Sequence, residues 1–278
     1  TGNNTAVGLS ALYTNVAAHN TAVGRYALYA NTTGFSNVAV GSNASPVSTI
    51  ADKCVSIGVD SLLRLTEGDE NTAVGNQAGA YITTGTHNVT IGVASGVTTT
   101  TLTTGGFNIL IGASVHTSGT GTDNAIGMGY GNTTIANNFS FGNEGTDSRI
   151  AFGATSISAP SDIRLKQNIK DDVAGLSFIN DLRPVTYEWR KEKDIPEEMS
   201  THKAGSEKRF NNDFVNHGFI AQEVKAVIDN HPEIQDGFKM WENKDPDGRQ
   251  RIADGALVPM LVKAIQELSA EIEILKAK

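Results

Sequence analysis

Apolar side chains enter this chain in short bursts that stop at glycine. Thr-Ala-Val-Gly stands at 5–8, 21–24 and 72–75, Val-Ala-Val-Gly at 38–41, Val-Ser-Ile-Gly at 55–58 and Val-Thr-Ile-Gly at 89–92. Ile-Leu-Ile-Gly follows at 109–112, Asn-Ala-Ile-Gly at 124–127 and Phe-Ser-Phe-Gly at 139–142. The step from glycine to glycine runs from 15 to 20 residues and holds at 17 from Gly24 to Gly92. That period is too short for a helical repeat and suits one short strand and a turn per unit. Alternation along a strand puts Ala6 on one face and Thr5 and Val7 on the other, so each strand has a small side and a bulkier side. The Asn four residues before most of the glycines, and the glycine itself, suit turns that need positive φ.

After Pro160 the period disappears and mixed elements are predicted. "SDIRLKQNIKD" opens like a helix or tight turn, "GLSFINDLRPVTYEWR" reads as a helix running into a strand at 184–190, and 191–213 is a charged loop. "NHGFIAQEVKAVIDNHP" gives a short strand and then a helix stopped by Pro232, with Ala221, Val224, Ala226 and Val227 on its apolar side. From Val258 the apolar positions Val258, Leu261, Ile265, Leu268, Ile272 and Leu275 alternate steps of three and four. This is an a/d seam over nearly three heptads, with Pro259 near the helix start where it is tolerated. Packing on its own domain is the plainer use of such a helix. β-Branched residues at a with Leu at d lean by themselves toward two strands.

Charge divides the chain at the same place. Residues 1–160 hold only four of the 22 Lys/Arg and eight of the 30 Asp/Glu. No basic stripe marks a nucleic-acid footprint, and no apolar run approaches membrane-spanning length. The opening "TGNNTAVG" is no signal peptide, and its start in mid-repeat predicts a fragment of a longer chain. The lone Cys54 excludes an intrachain disulfide and is expected as a small buried thiol. Glu67, Asp69 and Glu70 could offer oxygens to a hard cation, but a solvated turn is the simpler reading, and no metal or cofactor is predicted. The Asn-x-Ser/Thr triplets at Asn31 and Asn138 are read as turns rather than glycosylation acceptors. His217, Trp189 and Trp241 are expected as ordinary packing or surface residues.

Large apolar residues are scarce in 1–160, so a single chain of this kind is expected to have a thin core. A strand-rich rod is more plausible when several chains stack, burying their bulkier faces against one another. The "NTAVG" repeats resemble the head repeats of trimeric autotransporter adhesins and the shafts of phage tail fibres.

A more specific resemblance lies downstream. "SDIRLKQNI", "LRPVTYEW", "GFIAQEV" and "LVPMLVKAIQEL", in this order over 161–278, resemble the C-terminal intramolecular chaperone of endosialidase tailspikes and related phage tail fibres. One departure is "IADGAL" before "LVPML", where an aromatic residue is expected. The resemblance implies a domain that drives homotrimer folding of the fibre before it and then cuts itself off with a Ser–Lys pair. Carried over by position, the nucleophile is Ser161, the lysine is Lys166 and the scissile bond is Pro160–Ser161. The implied architecture is a β-rich repetitive trimeric fibre shaft at 1–160 and an α+β chaperone domain at 161–278, ending in a coiled-coil helix at 257–278. The implied partners are two further copies of the chain and a host surface receptor, a glycan being one class, and the implied location is the virion.

The spacing constrains the chemistry. A lysine serves as base only if burial or nearby positive charge lowers its pKa from about 10.4 toward about 7–8. Five residues of α-helix rotate by about 500°, leaving Ser161 and Lys166 roughly 140° apart. Ser161 must therefore sit in a turn before any helix, with Asp162 available to cap it. Oγ could attack its own preceding carbonyl at Pro160, or a neighbouring chain could take part in direct hydrolysis. Two other functions compete: a trimeric cell-surface adhesin whose C-terminal helices only trimerise it, and a glycan depolymerase. A glycosidase needs two positioned carboxylates, and the eight acids of 1–160 offer no convincing pair.

Overall fold

The computed structural model describes residues 2–97, 102–234 and 238–278. The chain divides into two compact units, Thr1–Gln167 and Asn168–Lys278.

The first unit is a β-solenoid of about eight turns. Its strands are β1 Thr5–Val7, β2 Thr21–Val23, β3 Val38–Val40, β4 Val55–Ile57, β5 Thr72–Val74, β6 Val89–Ile91, β7 Ile109–Ile111, β8 His116–Thr117, β9 Ile126–Tyr130, β10 Thr133–Thr134, β11 Asn138–Asn143 and β12 Ser148–Ala151. One sheet runs β1 to β7, then β9, β11 and β12, every pair parallel except the last. Pairing is in register from coil to coil, as in Val38↔Val55 and Ala39↔Ser56. The strands thus pair within one chain, and the solenoid has its own interior rather than depending on other chains for one. The small face points inward: Ala22, Ala39, Ser56, Ala73, Thr90 and Leu110 are buried at the strand centres. Leu62, Leu65, Ile82, Leu102 and Val115 fill the space opposite. The bulkier face, including Val40, Ile57, Ile91 and Met128, stays exposed.

The glycine column follows from close approach. At Gly41 φ is +137°, and a Cβ there would lie 2.5 Å from the Gly58 carbonyl oxygen of the next coil. The column continues at Gly129, which faces Gly112, and not at Gly127. Gly127 pairs with Leu110 inside the solenoid, where a Cβ would meet the Val115 side chain at 2.8 Å.

The asparagines do something other than turn the chain. The residue before each, such as Ser36, Glu70 or His87, takes the positive φ. Asn20, Asn37, Asn71, Asn88 and Asn108 are fully buried instead. Asn71 Oδ1 accepts the Asn88 backbone N–H at 3.0 Å, and Asn88 Oδ1 accepts that of Asn108 at 3.1 Å. Their amide Nδ2 groups donate to interior carbonyls, Asn88 to Gly105 at 2.8 Å. Buried backbone groups that the short strands leave over are satisfied by this column.

Cys54 occupies one step of the column, and burial pushes its thiol up to about 11. Asp69 Oδ1 accepts the Asp52 N–H at 2.8 Å, while Glu70 pairs with Lys53 at 3.0 Å and His87 at 2.7 Å. Asn31 is fully buried and Asn138 lies in β11.

The second unit holds α1 Leu176–Asp181, β13 Val185–Tyr187, β14 Asn216–Gly218, α2 Ala221–Asn230, β15 Trp241–Glu242, β16 Arg251–Ile252 and α3 Val258–Lys276. β13 pairs antiparallel with β14, and β15 with β16. The strand after α1 is shorter than the 184–190 predicted. Phe178, Val224, Ile228, Met240, Leu257 and Met260 form the core. On α2 the buried pair is Val224 and Ile228, four apart, while Ala226 is exposed, which corrects the apolar face read from the sequence. Trp189 packs edge-on against Tyr187 and Phe210, Trp241 Nε1 donates to Gln250, and His217 is exposed. Among the described residues no helix is long and apolar enough to cross a membrane.

α3 presents two faces. Met260 and Ala264 are buried inside the unit, and Glu267 accepts the Leu176 N–H of α1 at 2.7 Å. The predicted seam residues, by contrast, are 42–68% exposed. The helix packs on its own domain through one face and leaves the a/d seam free.

Candidate functional site

The candidate site is a tight turn at the end of the first unit. Asp162, with extended backbone, is the N-cap of one turn of 3-10 helix at Ile163–Leu165. Its Oδ1 accepts the Arg164 N–H at 2.8 Å, as a capping carboxylate should. The turn is closed by the Leu165 N–H on the Asp162 carbonyl at 3.0 Å and the Lys166 N–H on the Ile163 carbonyl at 3.1 Å. Lys166 then returns to extended backbone. An α-helix would hold Ser161 and Lys166 on different faces, but this short turn folds the chain back between them. Lys166 Nζ donates to Ser161 Oγ at 2.7 Å.

Upstream, the chain is anchored to β12. Arg149 and Ser158 exchange two backbone hydrogen bonds, at 2.8 and 2.7 Å. Asp147, Arg149, Ser158, Ala159 and Pro160 line a cavity of about 290 Å³ beside the predicted scissile bond. Arg149 Nε is 2.9 Å from Asp147 Oδ2.

Between β12 and α1 the chain is bare: residues 151–173 are exposed without interruption. Among them are Ile157, Ile163, Leu165, Ile169 and Val173, each more than 60% exposed. Ser161 Oγ and Lys166 Nζ are in contact, and both residues are exposed. Burial is the usual means of freeing a lysine to act as a base, and a single chain does not supply it here.

The turn contains a second pair, of which the sequence alone indicates only the capping half. Arg164 Nε and Nη2 meet Asp162 Oδ1 and Oδ2 at 3.0 and 2.6 Å. This bidentate contact holds the Asp162 carboxyl below its usual range and raises the Arg164 guanidinium. The i, i+2 spacing of Asp and Arg in "SDIRLK" was the available signal, but it becomes meaningful only once the turn is known.

Residues 161–231 match the family model described as chaperone of endosialidase, a family of self-cleaving peptidase domains. No curated protein and no solved structure matches the chain. The match begins at Ser161, the first residue of the turn just described, and runs through α1, β13, β14 and α2. Downstream of its β-solenoid, this chain is similar over residues 161–231 to the chaperone of endosialidase family.

Proposed function

We propose that the chain is the C-terminal part of a viral tail fibre or tailspike, in which residues 161–278 assemble three copies of the solenoid shaft and then cut themselves off at Pro160–Ser161. The observation that carries this reading is the 2.7 Å contact of Lys166 Nζ with Ser161 Oγ, at the first residue of the matched domain.

In the cutting step, deprotonated Lys166 Nζ takes the Ser161 hydroxyl proton. Oγ attacks the Pro160 carbonyl carbon, the C–N bond breaks, and the proton passes to the departing Ser161 nitrogen. The product is an ester between Pro160 and the Ser161 side chain. Water then cleaves it to a Pro160 carboxylate and a free Ser161 hydroxyl. The reaction is local because the nucleophile is the residue that follows the bond.

The bare surroundings of the dyad and the free seam of α3 support a coupling to assembly. Association through Val258, Leu261, Ile265, Leu268, Ile272 and Leu275 brings copies together, and cover from a neighbour removes water from Lys166. The exposed bulky columns of the solenoid are buried against one another in the same assembly. The remaining shaft stays on the particle as a host-attachment fibre, and its kinetic stability rises once the assembling module is gone.

Intact mass and denaturing gels of freshly expressed chain test the reading. The native chain is expected to break between Pro160 and Ser161. Ser161→Ala is expected to stay full length, and Lys166→Ala to cut at least about 100-fold more slowly. Ile265→Asp with Leu268→Asp is expected to stop association and slow cutting together. Efficient cutting by both Ser161→Ala and Lys166→Ala overturns the dyad, and normal cutting by the dissociated seam variant overturns the coupling.

A further inference from the structure

Four residues separate the members of the dyad, and two of them carry opposite charges. A carboxylate at position 162, adjacent to Ser161 and four residues from Lys166, is a natural partner for the lysine ammonium. An opposite charge within about 4–6 Å favours the charged form of a base, so such a partner would keep the lysine protonated. In the structure that carboxylate is taken: both oxygens face the Arg164 guanidinium, and Oδ1 also receives the Arg164 N–H. Lys166 Nζ is left to Ser161 Oγ. The fork matches guanidinium to carboxylate in a way an ammonium cannot, so Arg164 competes well for Asp162. The pair is solvent-exposed, and exposed ion pairs add little to stability, so holding the fold together does not account for it.

Resting on the self-cutting role of Ser161 and Lys166, we propose that Asp162 and Arg164 are positioning residues of that dyad. Asp162 closes the turn that sets Lys166 Nζ on Ser161 Oγ, and Arg164 occupies the Asp162 carboxylate so that it does not bind Lys166. Among the described residues, no charged group of another element is bonded to Ser161, Asp162, Arg164 or Lys166. The charged groups facing Pro160 across the cavity are Asp147 and Arg149, which pair with each other. Downstream, Lys170, Asp171 and Asp172 follow in the same exposed stretch, and Asp172 Oδ1 accepts the Ala174 N–H at 2.9 Å.

The test is the rate of self-cutting against pH in the full chain, with assembly measured on the same samples. Arg164→Gln frees the carboxylate while keeping a polar side chain of similar length. Its pH–rate profile is expected to move to higher pH, with a rate near neutrality reduced roughly tenfold or more. Adding Asp162→Asn, which keeps the capping oxygen but removes the charge, is expected to return the profile to that of the native chain. A profile of Arg164→Gln that superimposes on the native one overturns the proposal. A uniform fall in rate at every pH also overturns it, since a merely structural role behaves that way. If Arg164→Gln fails to assemble, Asp162→Asn alone decides: its profile should sit at or below the native pH, and a move to higher pH rejects the proposal. Cutting that persists in Ser161→Ala and Lys166→Ala would instead reject the dyad itself, so the two failures are distinguishable.

Discussion

The inward column of the solenoid, mostly small side chains, and the apolar outer seam of α3 are both periodic ladders, yet only the first is covered by its own chain. Ala22, Ala39, Ala73 and Leu110 are fully buried, whereas Ile265, Ile272 and Leu275 are 61, 48 and 68% exposed. Each solenoid coil covers the next, so its contacts lie about one repeat apart in sequence and its core needs no partner. A heptad seam on one helix has nothing to close against until a second helix arrives. Repetition brings its own hazard, because coils 17 residues apart are nearly interchangeable and a pairing slipped by one coil loses little. The singular second unit, with its unrepeated core around Phe178 and Met240, supplies the asymmetry the repeats lack.

Removing one leucine from the solenoid interior and one from the seam tests this contrast and gives the largest expected effect. Leu62 is fully buried, and Leu62→Ala is expected to cost about 2–5 kcal/mol, lowering the unfolding midpoint equally at all protein concentrations. Leu268 is 43% exposed, and Leu268→Ala should leave the dissociated chain nearly unchanged while weakening association. Its effect on the midpoint should therefore depend on protein concentration. Equal, concentration-independent losses from both would mean that α3 closes its seam within one chain.

Much of this contrast is legible in the residues. The 17-residue step gives the strand triplets, and the 3/4 spacing gives α3 and its seam, because both patterns are set by backbone periodicity. The direction of the asparagines is not legible: Asn suits both a turn and a buried amide column, and only the closed solenoid chooses. Gly127 follows a β-forming triplet and so looks in sequence like a member of the glycine column, although the chain there gives its inward position to glycine and resumes the close approach at Gly129. On α2, Ala226 and Ile228 compete for the buried face, and packing against Phe178 and Met240 decides it. At the site, Ser161 and Lys166 came from the surrounding motifs, since Ser-x4-Lys alone has no geometry. Arg164 stayed hidden because its role depends on a turn only three residues long.

A smaller effect sharpens the account of α3 as a helix with two employments. α1 has no side-chain cap of its own, since its N-cap is Gly175. Glu267 of α3 provides the acceptor for the Leu176 N–H, and a Cβ on Gly175 would sit 2.5 Å from the Glu267 carboxylate. Glu267→Ala is expected to cost about 0.5–2 kcal/mol, the range for loss of a helix cap, and to speed amide exchange at Leu176. Glu267→Gln keeps an acceptor oxygen and should recover part of the protection. Unchanged exchange at Leu176 in Glu267→Ala would show that α1 does not depend on the inner face of α3.

The smallest expected effect is a pH dependence that the solenoid interior cannot imitate. The amide column of Asn71, Asn88 and Asn108 has no proton to lose. In the second unit, buried His231 places Nε2 at 2.8 Å from Asp181 Oδ2 and Nδ1 at 2.8 Å from Glu233 Oε1, with its ring edge-on to Phe178. With both carboxylates ionised, both ring nitrogens must donate, which requires the imidazolium. The hydrogen bond to Asp181, followed by that to Glu233, raises the His231 pKa above its usual value against the opposing effect of burial. A raised folded value means that the stabilisation is complete below the unfolded value of about 6.5 and is lost as pH rises through the folded one. Glu233 is lowered chiefly by His231, so the same contact fades again as pH falls through the folded carboxylate value. Urea midpoints of the second unit's transition, followed from acid to alkaline pH, should fall above about 6.5 in the native chain and stay flatter in His231→Gln. Parallel curves for the two would mean that His231 takes up no additional proton on folding, and that the second unit, like the shaft interior, is held by groups that do not titrate.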